Sequence, residues 1–398
     1  MSTIAGVGRS TERDPRSEGA EAARQALDAL GERSAAQLLV FATTGFEQDA
    51  VISGVCAEFP GVPLAGCSGE GVIAGPVSEE GERAVAVLAL ATDAIRFRTF
   101  AVTGCIADSR AAGAELARQV NAAAGGDAIA LLVLMDGLQG DASEMLGGLD
   151  AGLLRPLAIV GGAAGDALTF ERTYQYVDGE VYSDAVVGVL LEGRARVDVA
   201  ISHGCMPIGL ERQITRAEGP WVHEIDGKPA WTVFRQYLVG EPEDLNTEGM
   251  VHLSVGEAIP DTNPGQYEPF LIHTPMGLDK TTGALYFPGG GIRSGTAIRV
   301  ARRDPGRIGA GARACAERVL ARHPDERPAF VLQFDCAGRG KQFFASRTAE
   351  HVVQPLQDVL GPDTPWIGIH TYGEVASVGG STRYHNFTVA LCAIYDRA

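Results

Sequence analysis

The feature that most constrains this 398-residue sequence is a unit that recurs three times. Three apolar runs end in a glycine-containing turn: LLVFATTGF (38–46), ALLVLMDGL (130–138) and AFVLQFDCAGRG (329–340). Each leads into a stretch readable as a helix, EQDAVISGVCAEF, DASEMLGGLDAGLL and SRTAEHVVQPLQDVL. A proline-led strand follows and closes in a Gly-rich turn: VPLAGCSGEG, RPLAIVGGAAGD and TPWIGIHTYGE. A further strand ends each copy, AVAVLAL, AVVGVLLEG and FTVALCAI. Apolar runs without polar alternation are strands covered on both faces, and intervening helices supply the cover. The expected class is α/β, in part α+β. Two lobes of layered mixed β-sheets, covered by helices, are built from this loosely repeated strand–helix–strand–strand unit.

Between the second and third copies the sequence changes character. GCMPIGLERQITRAEGPWVHEIDGKPAWTVFRQYL contains Asp226-Gly227, a hairpin-turn dipeptide, with a helix expected to start near Pro229. PFLIHTPMGLDKTTGALYFPGGGIRSGTAIRVARRD reads as strands joined by Gly-rich turns, and a helix is expected over about 306–322. The acidic, Pro/Gly-containing segment 239–250 is the linker candidate. The domain boundary is set at 225/226, giving domains 1–225 and 226–398.

Hydrophobic residues at 45% and charged residues at 21% suit a globular chain with a sizeable core. A formal net charge of −17, with no basic block, argues against nucleic acid or an anionic membrane as the main partner. Seven cysteines without a C-x-x-C pair predict reduced thiols instead of a disulfide framework. The polar N-terminus lacks a signal-peptide core, and the longest apolar runs fall short of the ~20 residues that span a bilayer. A cytoplasmic protein without membrane insertion is expected.

The stretch FVLQFDCAGRGKQFF carries the chemistry of most interest. Gly338 and Gly340 let backbone approach a ligand, and Arg339 between them can clamp a carboxylate in bidentate fashion. A strand-ending turn whose arginine pairs with a neighbouring acid explains the same residues. GCSGEG (66–71) departs from the nucleophile-elbow spacing at Ser68, and no dinucleotide or P-loop fingerprint occurs. His203 and Cys205 lie two apart on one strand, and His370 and His385 flank the closing hairpin; none has the spacing of a structural zinc site.

Taken in order, LLVFATTGF, PLAGCSGEGVI, VGGAAGD, SHGCMPIG, EIDGKPAWTVFRQYL, FDCAGRG, HTYGEV and YHNFTVAL resemble the FIST family, named for F-box and intracellular signal transduction. The resemblance covers nearly the whole chain, with a FIST N-terminal domain over 1–225 and a FIST C-terminal domain over 226–398. It implies a sensory module for a small anionic or zwitterionic, amino-acid-like metabolite. With no room in the chain for an output domain, a histidine kinase or cyclic-dinucleotide enzyme is the expected partner. The expected ligand site joins Cys336, Gly338, Arg339 and Gly340 to His370, Tyr372 and Glu374. Cys67, Ser68, Asp166 and Cys205 come from the other lobe, with Asp166 or Glu374 holding an amine. Some relatives are described as haem-binding nitric-oxide sensors, so haem or a metal on His203 and His370 is one alternative. An enzyme using Cys336 as nucleophile with a nearby histidine is another, although the resemblance does not imply catalysis.

Overall fold

This computed structural model describes residues 3–238, 252–259, 269–378 and 380–397; the linker expected at 239–250 lies outside them. Strand occupies 41% of the chain against 27% helix, so sheets carry the architecture. The repeat read from the sequence is real, and each copy is larger than expected. The first runs β1 (Ile4–Ser10), α1 (Pro15–Leu30), β2 (Gln37–Ala42), α2 (Gln48–Glu58), β3 (Leu64–Ser68), β4 (Gly71–Ala74), β5 (Val77–Glu79) and β6 (Val85–Ala91). The second runs β7 (Ile95–Thr103), α3 (Ser109–Ala123), β8 (Ala128–Met135), α4 (Ala142–Gly152), β9 (Ala158–Ala163), β10 (Gln175–Val177), β11 (Glu180–Tyr182) and β12 (Ala185–Gly193).

The third copy opens with β13 (Ala195–Ser202) and is then interrupted by an antiparallel insert. Its strands are β14 (Cys205–Glu218), β15 (Trp221–Ile225), β16 (Lys228–Pro229), β17 (Leu253–Ala258), β18 (Phe270–His273), β19 (Gly277–Asp279), β20 (Ala284–Tyr286) and β21 (Ala297–Arg303). The copy resumes with the helix Pro305–Arg322, β22 (Phe330–Cys336), a helical stretch ending in Gln354–Leu360, β23 (Trp366–Thr371), β24 (Gly373–Val378), β25 (Ser381–His385) and β26 (Val389–Asp396).

The copies interlock. Their sheets run β1-β6-β2-β3, β7-β12-β8-β9 and β13-β26-β22-β23, and each is completed by a hairpin from another copy: β10-β11, β24-β25 and β4-β5 respectively. The second copy lends to the first, the third to the second, and the first to the third. One central strand pair in each sheet is parallel, β2/β3, β8/β9 and β22/β23. Successive residues along β2, β8 and β22 explain the unbroken apolar runs. Leu39, Leu132 and Leu332, with Phe41, Leu134 and Phe334, enter one core shared by all three sheets. The alternate residues Leu38, Leu131 and Val331 turn outward under a helix pair. Glycine recurs for a steric reason. At Gly66, Gly161 and Gly368 a Cβ would stand 1.8, 1.8 and 2.5 Å from the carbonyl oxygen of Val40, Val133 and Gln333 on the neighbouring strand.

The insert has its own core, with Ile214, Val222, Phe234 and Leu285. Asp226 (φ 52°) and Gly227 (φ 71°) make the expected two-residue turn between Ile225 and its partner Lys228, and the expected helix is Ala230–Phe234. The boundary expected at 225/226 therefore falls inside a hairpin. The seam between lobes separates the insert from the three-copy body. On the N-terminal side of 225, β13 pairs with β26 and β14 with β21, both from the far side.

Candidate functional site

The three Gly-rich turns meet. Glu70 N–H donates to the His370 carbonyl (2.9 Å), Tyr372 N–H to Ala163 (3.0 Å) and Gly165 N–H to Ser68 (3.0 Å), a ring that passes once through each copy. Ser68 reinforces it: its hydroxyl donates to the Gly165 carbonyl (2.7 Å) and accepts from Tyr174 N–H (3.0 Å). Tyr372 hydroxyl donates to Asp166 (2.5 Å) and accepts from Leu168 N–H (2.9 Å), tying the third copy to the second.

Asp166 organises the loop that follows it. Its buried carboxylate accepts from the N–H groups of Phe170 (3.0 Å), Glu171 (2.6 Å) and Arg172 (3.0 Å), and from the Thr169 hydroxyl (2.8 Å). That loop holds Ala167, Leu168 and Phe170 at φ of 56°, 59° and 54°, a region costly for residues with a Cβ. Burial raises the Asp166 pKa, but the hydrogen bonds from Tyr372, Thr169 and the backbone outweigh it and hold the carboxyl below its usual range. The strained loop sets Phe170, 53% exposed, in a stack on Tyr372 with ring centres 5.5 Å apart.

Beside this stack lies a cavity of about 600 Å³. Its floor is the end of β22, Cys336-Ala337-Gly338, with Thr371 and Tyr372 from the adjacent turn. Leu168 and Phe170 form one wall, and the insert supplies Thr274, Met276, Tyr286 and Pro288. Phe387, held at φ 49°, fills the space where a side chain on Gly338 would stand. Polar groups come from Gln139, Gln342 and Asn386, and no lining residue is charged. The cavity thus sits at the carboxyl ends of parallel strands, where α/β sheets commonly hold ligands.

Of the residues expected to hold a ligand, Cys336, Gly338 and Tyr372 line this cavity. Arg339, Gly340, His370 and Glu374 do not. Asp335 and His370 are register partners on β22 and β23, as are Cys336 and Thr371, and successive residues of a strand face opposite ways. Cys336 and Thr371 take the cavity side, so Asp335 and His370 take the other. Arg339 is fully buried, its Nε 3.1 Å from Asp335 and its Nη1 donating to the Ser202 carbonyl at 2.6 Å. The anion at the glycine turn is the protein's own: Lys341 N–H donates to Glu80 (2.6 Å), and a Cβ on Gly340 would collide with that carboxylate. Glu374 is buried and accepts from the Thr371 hydroxyl (2.8 Å) and Thr388 N–H (3.1 Å), with burial pushing its pKa well up. No amine is needed to explain either Asp166 or Glu374.

The other expected cysteines lie off the cavity. Cys205 packs with Cys336 and Phe387 in a small cluster behind it, whereas Cys67 belongs to the central core. Among the described residues no disulfide joins Cys56, Cys67, Cys105, Cys336 or Cys392. Burial, with Glu374 nearby, pushes the Cys336 thiol well above its ordinary value despite backbone N–H groups of Gly338 and Phe387 that act the other way. A thiol so protonated is a poor nucleophile at neutral pH. The histidines expected to hold haem or a metal sit in protein surroundings of their own. His203 Nδ1 accepts from Cys205 N–H (2.8 Å), His370 Nε2 is 2.8 Å from the Ser78 hydroxyl, and burial pushes His385 down to about 3. None of the three lines the cavity, and among the described residues no three metal-ligating side chains converge. Also among the described residues, no helix is long and apolar enough to cross a membrane.

The residues that sequence reading missed are the insert's Thr274, Met276, Tyr286 and Pro288, together with Phe170, Asn386 and Phe387. The signal for the insert's four was the Gly- and Pro-rich turns of HTPMG and YFPGGG, which mark close backbone approach without saying to what.

Comparison with known proteins gives a coherent pattern. The FIST N domain matches residues 37–228 and the FIST C domain residues 230–377, meeting beside the Asp226-Gly227 turn. An uncharacterized protein of Mycobacterium tuberculosis is 30% identical over 397 residues, covering 98% of this chain and 99% of its own. A second, from Mycobacterium bovis, is 30% identical over 404 residues, covering 98% of each chain. Among solved structures, the chain is similar to a cyanuric acid hydrolase from A. caulinodans, with a TM-score of 0.37 and 11% identity over 100% of this chain and 99% of that one. It is also similar to T. maritima PurL complexed with FGAR, with a TM-score of 0.26 and 12% identity over 99% and 73%.

Proposed function

The chain belongs to the FIST family, whose domains are associated with signal transduction and small-ligand sensing, and on that premise we propose that it is a cytoplasmic sensor for an uncharged, ring-containing metabolite. The observation that carries this reading is the wall of the 600 Å³ cavity, which offers aromatic faces and amide or hydroxyl groups but no charged side chain. Transferring an unpaired carboxylate or ammonium into such a wall costs several kcal/mol, whereas an apolar ring gains about 25 cal/mol per Å² of surface buried. An amino-acid-like zwitterion of the expected kind has no partner there, unless its charged end stays in the solvent at the mouth.

The lobes supply the readout. Floor and one wall belong to the three-copy body and the opposite wall to the insert, so a ligand in the cavity bridges both. Output passes to a separate protein, a histidine kinase or a cyclic-dinucleotide enzyme. Calorimetric titration with matched panels of neutral heterocycles and free amino acids tests the ligand class. Saturable binding of a neutral ring compound, lost in Phe387→Ala and in Phe170→Ala, is expected. Binding confined to charged amino acids, or unchanged in both variants, overturns it. Co-purification from the native host then tests the partner, with either enzyme class recovered in a ligand-dependent manner.

A further inference from the structure

A second cavity, of about 310 Å³, lies where α4, β17, β18 and β25 meet. Its wall differs in kind from the first, since Asp150, Glu257, His273, Arg293 and Arg383 all line it. We infer that this cavity is a binding site for a small oxyanion, a carboxylate or phosphate, held by Arg383 and Arg293.

The argument turns on which charges are already spent. Both oxygens of Asp150 are occupied, one by Thr382 N–H (2.7 Å) and the other by the Thr382 hydroxyl (2.6 Å). Glu257 lies 3.0 Å from Nε2 of the buried His273. Burial raises the Glu257 pKa, but the His273 bond and the nearby charges of Arg383 and Arg293 outweigh it and keep the carboxyl low. Both acids thus have close protein partners, while the exposed side chains of Arg383 and Arg293 act on Glu257 only at longer range. Among the described residues Arg383 makes no hydrogen bond or ion pair, and Arg293 has only Glu144, at 3.5 Å, which Arg110 holds more closely at 2.9 Å.

Neutral donors point the same way. The hydroxyls of Ser143 and Ser381 line the cavity and bond to no other described group. Gly291, at φ 91°, leaves room between them and His273: a Cβ there would stand 2.6 Å from the Ser143 hydroxyl and 3.7 Å from the His273 ring. A guanidinium fork matches the paired oxygens of a carboxylate or phosphate, and that geometry holds at the exposed positions of Arg383 and Arg293.

The site is separate from the first cavity, so its test is independent of the function proposed above. Full-length protein is titrated with inorganic phosphate and, in parallel, with acetate, in a buffer free of other multivalent anions. One saturable site is expected for at least one of them, and the stronger of the two identifies phosphate or carboxylate as the natural group. Arg383→Ala should weaken it by about tenfold or more, with Arg383→Lys recovering only part, because Lys lacks the fork. Glu257→Gln should tighten an anion and would loosen a cation. Arg302→Ala, on an exposed position of β21, serves as the control for general surface charge. No saturation by either anion at about 20 mM, equal affinity in Arg383→Ala and the parent, or weakening in Glu257→Gln overturns the assignment.

Discussion

Arg339 shows how a side chain that reads as a ligand clamp becomes part of the frame. Its guanidinium and the Asp335 carboxylate are both fully buried, so neither has solvent to fall back on when the other is removed. Removing one partner of such a pair costs about 3–5 kcal/mol, because the survivor is left as an uncompensated buried charge. Arg339→Ala is therefore expected to lose several kcal/mol in urea unfolding. The Arg339→Ala, Asp335→Ala double variant should recover part of that loss. A clamp would behave differently: Arg339→Ala would keep its stability and lose only ligand. The distinction was legible in the sequence, though indirectly. Strand alternation sets Asp335 opposite to Cys336, so FDC already implied that thiol and carboxylate face different ways. That Arg339 would follow Asp335 inward depends on the Ser202 carbonyl, supplied from 137 residues away, and no local pattern announces it.

At the scale of elements, the opening helices of the three copies are built alike, each on an aspartate cap. Asp14, Asp108 and Asp304 accept from the N–H three residues on, each at 2.9 Å, and the residue four after the cap is buried each time. That residue is Ala112 in α3 and Ile308 in the third copy, but Glu18 in α1. Among the described residues neither Glu18 oxygen has a hydrogen-bond partner, and burial pushes its pKa up to about 8, with Arg83 opposing. A raised carboxyl favours the protonated fold. The contribution is whole below the unfolded value of 4.5 and is lost as pH climbs through about 8. Glu18→Gln should flatten that slope and gain on the order of a few kcal/mol between pH 5 and 9, read as unfolding midpoints at the two pH values. Parallel slopes for variant and parent would remove Glu18 as the cause. The loop after Asp166 titrates in the opposite sense. With the Asp166 carboxyl held low, its stabilisation is present above about pH 4 and lost on acidification. Asp166→Asn keeps the shape but turns one acceptor oxygen into a donor NH2. It should cost about 2–4 kcal/mol and weaken any ligand that touches Phe170, whereas an undisturbed Phe170–Tyr372 stack would contradict that.

Across the whole molecule, a local period could be read and its partner could not. Apolar runs, proline-led strands and recurring glycines each have a cause within a few residues, so the threefold repeat is visible in the sequence. The exchange of hairpins is set by which sheet edge stays open after folding, and β4, β10 and β24 carry nothing that says they pair outside their own copy. The insert was visible as a change of composition, but not as an interruption of the third copy. That arrangement makes a strong prediction. Between opening strand and helix the first copy spends residues 11–14 and the second 104–108. In the third the same gap is 203–304, but Gly204 and Asp304 are already joined by a backbone hydrogen bond of 3.3 Å, and Cys205 pairs with Arg303. Excising 205–303 would leave His203-Gly204-Asp304 as a link close to the lengths its counterparts use. The insert's core is its own, so the buried residues of the body's central cluster all survive the cut; what is lost is Ile259 at its edge and the small cluster of Ile272, Ala301 and Cys205 against Cys336. The excised chain should be soluble and unfold in one cooperative transition, because every sheet still receives its borrowed hairpin. It should bind nothing in the first cavity, which has lost Thr274, Met276, Tyr286 and Pro288. Unfolding in several separate steps would mean that the copies do not stabilise one another, and retained ligand affinity would mean that the insert is not the cavity's second wall.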